Sequence, residues 1–141
     1  MRFWDSSAVV PLIVAQPASS QADAWLSEDP ELALWTLTAV EVTSALRRLV
    51  RENQLAERDA NTAEARVDEL AKTCHLVVNV EAVKSQARRL LRLHSLRAAE
   101  AMQLGAALEW AGGHPTGRLF VTLDAQLARV AAREGFRVFL D

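Results

Sequence analysis

The chain has 141 residues, a mass of 15.5 kDa and a composition half hydrophobic, which suits one domain over 1–141 with a full core. A net charge of −2 excludes attraction of nucleic acid by the molecule as a whole, so a polyanion must be met by a local basic patch. The single cysteine, Cys74, excludes an internal disulfide and reads as a buried free thiol in a reducing compartment.

No stretch reaches the roughly 18 apolar residues of a membrane span. The N-terminus lacks the apolar run and cleavage site of a signal peptide, so the expected location is the cytoplasm, with no membrane partner.

In chain order, Arg2 to Trp4 reads as a strand ending at Asp5. Ser6 or Ser7 then opens a short apolar helix through Val14, and a second helix runs from Ser19 to Leu26. Asp29-Pro30 is a turn before a strand at Leu32 to Trp35. A helix begins at Thr38, with Val42, Leu46, Leu49 and Val50 at helical spacing, and ends in the polar stretch Arg51 to Gln54.

Ala56 to Lys72 reads as the next helix, with Ala63, Val67 and Leu70 inward, and His75 to Asn79 as the third strand. Val83, Ala87, Leu90 and Leu91 line one face of the following helix, opposite a run of arginines. Arg97 to Ala111 is apolar on nearly every side and reads as a buried helix. Gly105 in its middle costs about 1 kcal/mol of helix propensity, which close packing can offset. Leu119 to Thr122 is a fourth strand, Ala125 to Arg133 a helix, and Arg137 to Leu140 a fifth strand. Strands alternating with helices predict an α/β fold with a parallel sheet covered on both faces.

Against that framework four acids stand out: Asp5, Glu41, Glu100 and Asp124. Each lies in a largely apolar stretch, near a point where a strand gives way to a helix. In open α/β sheets such points gather beyond the carboxyl ends of the strands. Unpaired carboxylates are costly to bury, and four together call for a hard divalent cation. Such a site without another type of catalytic residue points to phosphodiester hydrolysis.

Each acid also has an ordinary reading. Thr38 and Glu41 have the spacing of a capping box, Asp5 can start a helix, and Asp124 can cap the last one. The histidines His75, His94 and His114 show no zinc-ligand spacing, and no glycine-rich phosphate loop follows a strand. Trp4, Trp25, Trp35 and Trp110 read as core or interface residues. An aspartyl-phosphate mechanism with Asp5 as nucleophile is disfavoured, because Ser7 stands where a second aspartate is expected. Two arginine clusters, Arg47, Arg48 and Arg51, then Arg88, Arg89, Arg92 and Arg97, are either solvated helix faces or a basic rim to the acidic site.

Asp5-Ser6-Ser7-Ala8, Thr38-Ala39-Val40-Glu41, Leu96-Arg97-Ala98-Ala99-Glu100-Ala101-Met102-Gln103-Leu104 and Thr122-Leu123-Asp124 resemble, in order, the motifs of the PIN-domain family. The likeness is greatest to the VapC-type toxins of type II toxin–antitoxin pairs, and it spans essentially the whole chain. It implies a three-layer sandwich with a central, mainly parallel five-stranded sheet. It also implies a Mg²⁺- or Mn²⁺-dependent endoribonuclease that hydrolyses RNA with metal-activated water. A homodimer, a VapB-like antitoxin partner, and DNA contact only through that antitoxin are implied with it.

Position by position, Asp5, Glu100 and Asp124 match the metal-binding acids, Glu41 the assisting acid and Thr122 the hydroxyl beside the last acid. The family usually carries aspartate where this chain has Glu100. That departure supports a second reading, a catalytically weak or inactive module that binds its antitoxin in a regulatory complex.

Overall fold

The computed structural model describes residues 1–139. Five strands, β1 (Arg2–Trp4), β2 (Leu32–Trp35), β3 (His75–Val77), β4 (Leu119–Val121) and β5 (Arg137–Val138), form one sheet in the order β3-β2-β1-β4-β5. Every pairing is parallel, so the sheet expected to be mainly parallel is wholly so. Leu140, expected to end the fifth strand, lies outside the described residues.

Two helices fill each of the first three connections: α1 (Ser6–Ile13) and α2 (Ser19–Glu28), α3 (Thr38–Arg51) and α4 (Glu57–Thr73), α5 (Val80–Leu93) and α6 (Ala98–Trp110). A single helix, α7 (Ala125–Arg133), joins β4 to β5. Side-chain caps mark three helix starts: Asp5 accepts from the Ser7 amide at 3.3 Å, Asn79 from Ala82 at 3.1 Å and Asp124 from Leu127 at 3.0 Å.

The period-two pleat of the strands sorts their side chains into two cores. Trp4, Leu32, Leu34 and Val121 pack with residues of α1 to α4 on one face. Phe3, Ala33, Trp35, Val77 and Phe120 pack with α5, α6 and α7 on the other. Three layers result. The chain winds from β1 outward to β3 with helices on the first face, then returns across the sheet to β4 with helices on the second. β1 and β4 therefore flank the point where the winding reverses, and a crevice opens there beyond their carboxyl ends.

Gly105 of α6 shows why that residue is small. A Cβ there would lie 3.0 Å from the Val83 carbonyl oxygen and 3.2 Å from the Ala87 amide, so α5 and α6 touch backbone to backbone. Two inward assignments change. Leu91 is exposed on α5, because Val83, Ala87 and Leu90 already fill the face toward the core. Cys74 is only partly buried at the end of α4, and that burial pushes its thiol pKa up.

Candidate active site

Asp5 closes β1, and its amide donates to the Val121 carbonyl at 2.9 Å, fixing it to β4 across the crevice. Its Oδ2 accepts from Ser7 Oγ at 2.5 Å and from Thr122 Oγ1 at 2.9 Å. Each hydroxyl also accepts a backbone amide: Leu123 N lies 3.0 Å from Ser7 Oγ, and Asp124 N lies 3.0 Å from Thr122 Oγ1. A hydroxyl has one hydrogen, and both hydrogens are given to Asp5, so the 3.1 Å between Ser7 Oγ and Thr122 Oγ1 is a contact, not a bond. The Thr122-Leu123-Asp124 turn is thereby clamped to the start of α1 through a single carboxylate oxygen. Oδ1 has only Ser6 Oγ, at 3.5 Å.

Burial raises the pKa of Asp5, and the bonds from Ser7 and Thr122 offset only part of that effect. Glu41, in the first turn of α3, is pushed up to about 7 by burial, with the Asp5 charge adding to the rise. The capping box suggested by its spacing does not form: the residue before α3 is Leu37, with no side-chain cap. Glu41 instead accepts from Gln103 Nε2 of α6, which also donates to Thr38 Oγ1 at 3.1 Å.

Glu100 takes the reading that spacing had suggested for Glu41. From the first turn of α6 it accepts from the Arg97 amide at 2.8 Å, a local bond that stabilises the helix start. Asp124 caps α7. Both acids line one polar cleft of about 370 Å³ together with Ser95, Leu96, Arg97 and Gln126. The four acids therefore stand as two pairs, Asp5 with Glu41 and Glu100 with Asp124. Among the described residues no three His, Cys, Asp or Glu side chains are arranged to hold an ion.

The donor set nevertheless fits a hard cation. Among the described residues, none of the four acids is in a salt bridge. Two buried or half-buried carboxylates that repel one another, with oxygen donors around them and no counter-charge in contact, suit Mg²⁺ or Mn²⁺ rather than zinc. Glu100 and Asp124 each spend one oxygen on a helix cap, leaving the second for a ligand.

The arginines divide. Arg47 ties α3 to α4, pairing with Glu57 at 2.5 Å and with Glu64, and Arg89 pairs with Glu134 at 2.5 Å, so these two are structural. Arg97 is exposed at the cleft, with no ion-pair partner among the described residues. His94 bonds Glu134 at 2.9 Å, while His75 and His114 are exposed. Two site residues lie within the quoted motifs but were given no role there: Ser7, two places after Asp5, and Gln103, the one uncharged polar side chain within α6.

A model of the PIN domain family matches residues 2–135. The chain belongs to the PIN-domain family, among the VapC ribonucleases. Two relatives named Ribonuclease VapC45 and Ribonuclease VapC49, both from Mycobacterium tuberculosis, are each 33% identical over 137 residues, covering 96% of this chain and 92% of theirs. The fold of this PIN domain matches that of VapC20 from the same species, a sarcin-ricin loop cleaving toxin, with a TM-score of 0.67 at 18% identity over 97% of both chains. It also matches FitAcB from Neisseria gonorrhoeae, with a TM-score of 0.66 at 19% identity over 99% of this chain and 97% of that one. Among the described residues no helix is long and apolar enough to cross a membrane.

Proposed function

We propose that this VapC-family protein is the toxin of a toxin–antitoxin pair and a Mg²⁺- or Mn²⁺-dependent endoribonuclease. The observation that carries the reading is the Asp5–Glu41 pair, two charge-repelling carboxylates at the switch point of the sheet with no cationic neighbour among the described residues. The names of the 33% identical relatives support RNA as substrate. VapC20, described as cleaving the sarcin-ricin loop, supports an exposed RNA loop, read by shape.

In the proposed mechanism Asp5, Glu100 and Asp124 hold the divalent cation, with Glu41 assisting. When bound, the ion supplies Lewis-acid stabilisation of charge on the phosphoryl oxygens and lowers the pKa of water. Thr122 and Ser7 lock Oδ2 of Asp5, which leaves Oδ1 to face the ligand. Glu41, near neutrality, takes the proton of the attacking water on the oxygen that Gln103 does not occupy. Arg97, at the rim of the cleft, holds an RNA phosphate by a salt-sensitive contact. The full reading includes a homodimer in the cytoplasm, neutralised by a VapB-like antitoxin that alone touches DNA.

Expression in a bacterial host tests it. The parent chain is expected to arrest growth, Asp5→Asn to relieve the arrest, and Glu100→Asp to arrest at least as strongly as the parent. Purified parent should cut structured RNA with Mn²⁺ and lose that activity in a chelator. Folded protein that cuts no RNA with either ion, while still binding its antitoxin, would leave the regulatory module as the better account.

A further inference from the structure

Four polar or charged side chains are buried among the described residues: Asp5, Thr38, Gln103 and Thr122. Asp5 and Thr122 bond each other, and Thr38 and Gln103 bond each other, so every one of them serves the site. Thr38 and Gln103 are the two whose burial the mechanism has not explained, and Gln103 is the one of them that reaches an acid. It is 1% exposed, in a helix whose neighbouring positions Ala101, Leu104, Ala106 and Ala107 are fully buried and apolar. Both hydrogens of its Nε2 are committed, to Thr38 and to Glu41, while its Oε1 is buried with no partner among the described residues. The bare carbonyl costs stability, because the lost hydration of that oxygen is not repaid.

What the amide provides is reach. α6 packs on one face of the sheet and α3 on the other, and Gln103 spans from the first to the second at the end of the strands. It also follows Glu100 by one helical turn, so both project from the same side of α6. The two acid pairs are linked on one side by Thr122, between Asp5 and the Asp124 amide, and on the other through this helix: Glu100 on its backbone, Glu41 through the Gln103 amide.

Resting on the ribonuclease reading, we infer that Gln103 is a positioning residue: it holds Glu41 in register with Glu100, so that the two acid pairs close on one divalent cation. The residue touches neither substrate nor ion. Removing an outer-shell partner of this kind lowers metal affinity or turnover by roughly 10- to 100-fold.

The test compares the full-length parent with Gln103→Leu, and with Gln103→Met as a second apolar replacement of similar length. Three quantities are measured: thermal midpoint without metal, Mn²⁺ affinity by calorimetry, and kcat and KM for a structured RNA. For either variant the expected result is a midpoint close to that of the parent, a Kd for Mn²⁺ raised about 10-fold or more, and kcat lowered with KM within about twofold. In a Glu41→Gln background the same replacement should change nothing further. Unchanged Mn²⁺ affinity and kcat, losses that track a lowered midpoint, or full additivity with Glu41→Gln would each overturn the inference. A parent that binds Mn²⁺ but cuts no RNA ends the ribonuclease reading, while the Kd series still decides the role of Gln103. A parent that binds no Mn²⁺ ends both.

Discussion

At the scale of the residue, Asp5 and Glu41 hold protons more tightly in the folded chain than in the unfolded one. For an acid whose pKa is raised by folding, the native state binds more protons over the interval between the two values, so stability falls as pH rises through it. Without metal, the protein should therefore lose stability from about pH 4.5 to about pH 7 as Glu41 ionises in place. Glu41→Gln should shrink that total loss by about 1–2 kcal/mol, after allowing for solvent screening at a half-buried site; denaturant melts across the range would measure it. The same proton competes with a cation. Mn²⁺ affinity should weaken as pH drops below about 7, and calorimetry on Glu41→Gln should find that dependence reduced.

Among secondary-structure elements, the contact between α5 and α6 sets where Glu100 and Gln103 stand. Gly105→Ala would gain about 1 kcal/mol of helix propensity. It would also push a methyl to 3.0 Å from the Val83 carbonyl oxygen and 3.2 Å from the Ala87 amide, backbone atoms that yield only if a whole helix moves. Overpacking of this kind costs about 1–3 kcal/mol, so the expected net effect is a lower thermal midpoint. Because α6 carries both residues that register the site, the variant should also bind Mn²⁺ more weakly. A midpoint above that of the parent would show that the helices separate freely and that the close approach has no structural weight.

Across the whole molecule, function and stability oppose one another at the switch point of the sheet. An ionised Asp5, buried between β1 and β4 with no counter-charge among the described residues, strains the metal-free fold, and a cation that binds only the native state relieves it. At pH 8 without metal, Asp5→Asn should melt about 3–6 °C above the parent, equivalent to ~1 kcal/mol. Saturating Mn²⁺ should raise the parent's midpoint and leave that of the variant nearly unchanged. Differential scanning calorimetry with and without the ion reads both. A parent that melts above Asp5→Asn in chelator would mean that the carboxylate is already satisfied by Ser7 and Thr122.

Much of this architecture is legible in the order of residues alone, because local physics writes it there. Alternation within three- and four-residue strands, helical spacing of Val42 and Leu46 or Val83, Ala87 and Leu90, and turn residues between them define each element. The ordered motifs around Asp5, Glu41, Glu100 and Asp124 sufficed for the family. Spacing found the caps of Asp5 and Asp124 but misplaced the third: Thr38 and Glu41 have the pattern, yet α3 starts one residue too early for it, Glu41 bonds an amide 62 residues away in the chain, and Glu100 makes the local bond. Nor could it reveal Gln103 or Ser7 as partners, since their roles depend on atoms supplied by another helix or strand. Periodicity and capping are short-range and survive in one dimension, whereas burial, charge coupling and the sharing of hydrogens arise only when the two helical layers meet at the ends of the sheet.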